Sequence, residues 1–242
     1  MDLRNLAGKN FLALKENPYP GRGIIVGLSD DGEKLIQVYW IMGRSENSRN
    51  RVFLVNPGGV LYTAPADPNK VKDPSLIIYT AMVEDHFDFV VSNGHQTEDG
   101  MEEGDLDKVL EDWVYEPDYP NFTPRITSRF SFITSPSKDF TTEILILKKA
   151  ALSDECERLL HTPKVDYRGF GYCVTTYSGD GNPLPSFEGE PYLLPLKGGI
   201  KDIAQTIWGA LNEENRVSLA VKFINMATRK SIIEVINKYH VV

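Results

Sequence analysis

The stretch GRSENSRNR, residues 43–51, sets Arg44, Arg49 and Arg51 among serines and asparagines. A guanidinium offers a planar fork of N–H donors that fits two oxygens of a phosphate or carboxylate at once, so the chemistry on offer is anion binding. Acid–base candidates lie further along the chain. Glu116 stands in YEPDYPNFTPRI (115–126) with Asn121 and Arg125, between prolines that can hold a carboxylate and a guanidinium in place. VVSNGHQT (90–97) carries an apolar run straight into Ser92, Asn93, Gly94 and His95, and Tyr79 is a phenol inside the aliphatic run LIIYTAM. Each also has an ordinary reading: solvated loop charge, a turn with a left-handed asparagine, a core tyrosine with a satisfied hydroxyl.

The background makes the basic stretch informative. The chain has 242 residues with 26 basic and 34 acidic side chains, a net charge of −8. A uniformly acidic surface repels polyanions, so general nucleic-acid binding is not expected. The longest apolar runs fall well short of the ~20 residues a membrane span needs. Cys156 and Cys173 make no disulfide framework, the first residues show no secretory signal, and the two thiols are expected to be reduced in a cytoplasmic protein.

The elements that must position these residues read mainly as strands. GIIVGLS (23–29), a turn at Asp31-Gly32 and KLIQVYWIM (34–42) predict a β-hairpin. Further strands are predicted at RVFLV, after the turn at Asn56–Gly59, at 75–84, 86–94, 125–135 and 142–150, and at RVSLAVKFIN. KSIIEVINKY fits strand or helix. In GDLDKVLEDWVYE the residues Leu106, Val109, Leu110 and Trp113 share one helical face, and IKDIAQTIWGAL (200–211) has the broadest apolar stripe in the chain. The first 20 residues are a mixed segment, and 151–199 is rich in glycine and proline, with SGDGNPLPSFEGEPY (178–192) as a surface loop of unassigned role. Antiparallel strand runs with late helices predict an α+β layered domain, one unit over residues 1–242.

Several motifs fail. GRGIIVG (21–27) precedes a strand, whereas a dinucleotide fingerprint follows one and opens a helix. His86, His95, His161 and His240 lack ligand spacing, so no metal is expected. Neither cysteine has the neighbourhood of a nucleophile.

Taken together, GRSENSRNR, VVSNGHQTE, TPRI with its upstream YE, and the strand-borne Tyr79 resemble the archaeal-type IMP cyclohydrolase family, over about residues 20 to 130. The resemblance implies a four-layer αββα sandwich of two mainly antiparallel sheets, like that of the N-terminal-nucleophile hydrolases. Those enzymes use a terminal Cys, Ser or Thr; here Met1 is followed by Asp2, so that nucleophile is not expected. The implied reaction closes 5-formamidoimidazole-4-carboxamide ribotide to IMP with loss of water, the last step of purine synthesis, with no cofactor. The implied partner is a nucleoside monophosphate, and homo-oligomer formation is left open. Carried over, Arg49, Tyr79 and Glu116 are catalytic, Arg44, Asn93, Gly94, Asn121 and Arg125 bind substrate, and Arg51 is structural. A non-catalytic purine-nucleotide-binding protein and an amidohydrolase of the same fold remain the alternatives.

Overall fold

The computed structural model describes residues 2–71, 74–75, 77–133 and 139–241. Its centre is the predicted hairpin: β1 (Gly23–Leu28) and β2 (Lys34–Met42) pair from Gly23↔Trp40 to Leu28↔Leu35. Both strands are buried almost throughout, so each must be covered on two faces. One cover is a second sheet. The other is helical.

The first sheet places β1 and β2 beside β10 (Phe170–Thr175), β11 (Tyr192–Pro195), β12 (Arg216–Asn225) and β13 (Ser231–Asn237), in the order β11-β10-β1-β2-β12-β13. The second runs β3 (Val52–Val55), β4 (Leu61–Ala64), β5 (Thr80–Glu84), β6 (Asp88–Ser92), β7 (Arg125–Phe132), β8 (Phe140–Lys149) and β9 (Cys156–His161) in chain order. All of these pairings are antiparallel. Ile24, Val26, Tyr39 and Ile41 meet Phe53, Tyr79, Phe89, Ile126 and Ile144 between the sheets. The alternate residues Ile25, Val38 and Trp40 pack with α1 (Leu3–Glu16) and α4 (Ile200–Ala210) on the outer face. The chain is an α+β sandwich.

The fourth layer is thin. The helix predicted from GDLDKVLEDWVYE is a single turn, α3 (Leu106–Val109). Leu106, Leu110 and Trp113 still pack together on Leu145 and Leu147. The helix stops because Arg158 of β9 donates to the carbonyls of Asp107 (2.7 Å), Leu110 (3.1 Å) and Trp113 (3.0 Å), acceptors that a longer helix would use itself.

Other departures are local. The mixed first segment is α1, capped by Asp2, whose carboxylate accepts from Arg4 N at 3.0 Å. The region 151–199 contains β9, β10 and β11, and KSIIEVINKY is the strand β13. The strand predicted over 75–84 begins at Thr80 and the one over 125–135 reaches Phe132; residue 76 and residues 134–135 of those readings lie outside the described residues.

Residues 43–51 connect β2 of one sheet to β3 of the other. A crossing between layers cannot be a two-residue hairpin turn, which accounts for the length. The crossing contains a single turn of helix, α2 (Glu46–Arg49), in which Ser45 Oγ accepts from Ser48 N and Ser48 Oγ from Ser45 N.

Candidate functional site

At the end of the sandwich where this crossing lies, β1 begins, β2 ends and β10 ends in one sheet, while β6 ends and β7 begins in the other. Gly21 has φ +73°, and a Cβ there would lie 2.2 Å from Thr176 Oγ1, so this turn requires glycine. The next residue is Arg22. Its N–H donates to Thr176 Oγ1 (3.0 Å), and its Nη1 reaches across the layers to Glu116 Oε1 at 2.7 Å. Glu116 is held by its own segment: its N–H donates to Thr123 O (2.8 Å), and Asp118 accepts from Thr123 N (2.6 Å).

Glu116 is almost fully buried, and among the described residues its Oε2 has no hydrogen-bond partner. Burial pushes its carboxyl above the ordinary range, with Arg22 and Arg125 pulling the other way. Burial also opposes the charge on Arg22, but Glu116 and then Tyr79, Tyr39 and Tyr177 more than offset it, so Arg22 sits well above its usual value.

Arg51 is the second buried guanidinium, 1% exposed. Nε donates to Ser48 O (2.8 Å) and Nη2 to Met42 O (3.1 Å), while Nη1 has no partner among the described residues. Among the described residues no carboxylate forms an ion pair with it. Burial lowers its pKa; Tyr79 and Tyr39 oppose that and Arg22 adds to it. Tyr79 lies nearby, buried, with its hydroxyl 2.6 Å from that of Tyr39.

Arg22 and Arg51 both line a cavity of about 260 Å³, just under the roughly 300–1,000 Å³ usual for ligand sites. Its rim includes Arg44, Ser45, Asn121, Thr123 and Tyr177. Arg44 lies over the Tyr19 ring (4.9 Å) and forms an ion pair with Asp180 of the loop 178–192. The same loop sends Leu184 into the lining, and Leu184 N donates to Asn121 Oδ1 at 3.1 Å. The loop without an assigned role thus contributes Leu184 to the cavity wall and meets two of its lining residues, Arg44 and Asn121.

The structure brings Tyr79, Glu116 and Arg125 into one neighbourhood, each within electrostatic reach of Arg22. Arg44 and Asn121 stand at the cavity rim. Asn93 and Gly94 serve Arg125 and its strand instead of lining the cavity. Asn93 Oδ1 accepts from Ile126 N (2.8 Å) and its Nδ2 donates to Pro124 O (2.9 Å). A Cβ on Gly94 would sit 2.4 Å from Arg125 Nη1, which itself donates to Gln96 Oε1 at 3.0 Å. Arg49 is outside the lining: it donates to Gly43 O (2.9 Å) and Asn215 Oδ1 (3.1 Å).

Arg22, Tyr39 and Tyr177 belong to the cluster and were not singled out from the sequence. Arg22 had one signal, an arginine between two glycines just before a buried strand. Cys173 is buried, which pushes its thiol up to about 12, and neither cysteine lines the cavity. Among the described residues no group of three or more His, Cys, Asp or Glu could hold a metal, and no helix is long and apolar enough to cross a membrane.

The α+β sandwich thus holds a small cavity lined by two buried guanidiniums. The Glu116 carboxylate and the paired phenols of Tyr39 and Tyr79 lie within electrostatic reach of Arg22 but, like Arg125, outside that lining. The family model described as IMP cyclohydrolase-like protein matches residues 19–229, and the chain belongs to that family. The match begins at Tyr19, on the cavity rim, and leaves α1 outside. A comparison with curated proteins found no match.

Proposed function

We propose that the chain is an IMP cyclohydrolase, closing 5-formamidoimidazole-4-carboxamide ribotide to IMP with release of water. The observation that carries this reading is Arg51: a buried cation without an anion among the described residues, on the wall of a cavity it shares with Arg22. Burying an unpaired charge costs several kcal/mol, and an anionic ligand would offset that cost.

The reaction needs three things. The carboxamide nitrogen must lose a proton, the formyl oxygen must be stabilised as the new C–N bond places charge on it, and the departing hydroxyl must gain a proton. Glu116 Oε2 takes the nitrogen's proton, while Arg22 holds Oε1 and so fixes the carboxylate's orientation. Arg51 Nη1 donates to the formyl oxygen. Glu116 returns the carboxamide proton to that oxygen, which becomes a hydroxyl. Tyr79 gives its own proton to this hydroxyl as the C–O bond breaks, and the formamide nitrogen loses its N–H proton as the C=N bond forms. The reacting groups sit on one molecule, which already supplies much of the proximity advantage.

Arg44 and Asn121, on the rim, face the ribose phosphate, and Arg125 backs Glu116 electrostatically, itself held by Asn93, Gly94 and Gln96. In this reading Arg51 takes the place first expected for Arg49, because Arg51 faces the cavity and Arg49 braces the crossing.

An ultraviolet-monitored assay with the formylated ribotide, run beside calorimetry with IMP, tests the proposal. Turnover together with IMP binding supports it. Binding without turnover means a non-catalytic nucleotide-binding protein, and neither binding nor turnover overturns the nucleotide reading altogether.

A further inference from the structure

Tyr39 and Tyr79 come from opposite sheets, Tyr39 from β2 and Tyr79 from the residue before β5, and their hydroxyls meet at 2.6 Å. That is at the short side of the usual O–H···O range. Both are buried, 0% and 4% exposed. Among the described residues each phenol oxygen has the other as its hydrogen-bond partner. Such a pair can be wired two ways. If Tyr79 donates, its proton is spent on a phenol sealed behind the Tyr39–Phe53 ring contact (5.5 Å). If Tyr39 donates, the Tyr79 proton is free to point elsewhere.

We propose that Tyr39 is a positioning residue: its O–H donates to Tyr79 Oη, aims the Tyr79 proton at the substrate, and then holds the phenolate left behind. This rests on the reading of Tyr79 as proton donor. Proton and electrons balance within that step. Glu116 passes the carboxamide proton to the oxyanion, which becomes a hydroxyl. Tyr79 Oη then releases H⁺ to that hydroxyl, the C–O pair goes to oxygen to make water, and the formamide N–H pair forms the C=N bond. The proton that this nitrogen loses returns to the Tyr79 phenolate, so both groups are restored. The fold suits the role. Arg22 and Arg51 lie within electrostatic reach of both phenols and favour negative charge there. Burial, with Tyr79 adding to it, holds the Tyr39 hydroxyl well above its ordinary value.

Removing only the Tyr39 hydroxyl tests this. Tyr39→Phe should lower kcat about 10- to 100-fold, the loss expected for a hydrogen bond to a charged group, while KM and the IMP Kd stay within about twofold. In a Tyr79→Phe background the same change should cost nothing further, since the two hydroxyls act as a unit. Wild-type kcat in Tyr39→Phe, or losses that multiply in the double variant, would overturn the proposal. If Tyr39→Phe does not fold, 3-fluorotyrosine at position 39 keeps the shape and strengthens the donor. It should move the alkaline limb of the kcat–pH profile, and an unmoved limb overturns the proposal. Turnover by the wild type separates the two failures: if it turns over and these variants behave normally, only the role of Tyr39 falls; if it does not turn over, both readings fall.

Discussion

Two buried arginine–glutamate pairs lie at opposite ends of the sandwich, and they are finished differently. At the far end Arg129 is saturated. It donates to Glu143 Oε2 through Nε (3.1 Å) and Nη2 (2.6 Å), to the carbonyls of Gly100 (3.3 Å) and Glu102 (3.0 Å), and to that of Gly104. Glu143 Oε1 accepts from Leu106 N (3.0 Å), so both carboxylate oxygens are used. At the near end Arg22 and Glu116 share one contact, and among the described residues Glu116 Oε2 is unpartnered and the neighbouring Arg51 leaves Nη1 unused. Buried polar groups are normally satisfied. The saturated pair ties α3 and its neighbouring turns to the second sheet. The unsaturated one leaves Glu116 Oε2 and Arg51 Nη1 buried without a partner among the described residues, beside a cavity that Arg22 and Arg51 line. Arg129 and Glu143 line a cavity too, so it is the unmet hydrogen bonding that distinguishes the two ends.

The sharpest way to break this contrast is to neutralise both carboxylates. Glu116→Gln should lower kcat by about 10²–10⁴, the usual contribution of a general base, with IMP affinity nearly retained. Wild-type turnover in that variant removes Glu116 from the chemistry. Arg51→Met should cost about 10²–10³ in kcat, the scale of one lost oxyanion donor. Its denaturation midpoint should hold or rise, because an unpaired buried charge goes with it. Glu143→Gln should do the reverse, losing about 3–5 kcal/mol in a urea melt while the folded fraction keeps its kcat.

The pH dependence follows from the raised carboxyl of Glu116. A base must be deprotonated to act, so the acid limb of kcat should lie above the ordinary carboxylate range and vanish in Glu116→Gln. For stability the sign is opposite. A group that holds its proton more tightly when folded favours the fold below its unfolded pKa and loses that contribution as pH rises through the folded value. The smallest effect concerns the rim. Asp180→Asn frees Arg44 from an exposed ion pair worth about 0–1 kcal/mol, so KM should fall by no more than about fivefold, and a KM that rises contradicts the place of Arg44 in phosphate binding.

Much of the framework was legible because it follows local rules. The hairpin 23–42 and the helix α4 carry strong periodicity, and both stand where expected. α1 was obscured because Leu12, 57% exposed, blurs the stripe made by Ala7 and Leu14. α3 was overread because Arg158, distant in sequence, captures the carbonyls that would have extended it. Tyr79, Glu116 and Arg125 were reached through a family resemblance carried by several short stretches, since none of them stands out by residue type alone. Which of Arg49 and Arg51 lines the cavity could not be read that way, since it depends on how the chain leaves the single turn α2. Arg22 was hidden for another reason: its partner is 94 positions away.

Arg22 and Tyr39 belong to one sheet and its approach, Glu116 and Tyr79 to the other. The interlayer gap therefore acts as a ruler for the chemistry. A methylene added or removed at Phe53 or Ile126, far too small a change to unfold the protein, would respace the two phenols and the carboxylate by fractions of an ångström. Turnover in this architecture should wear out well before the fold does.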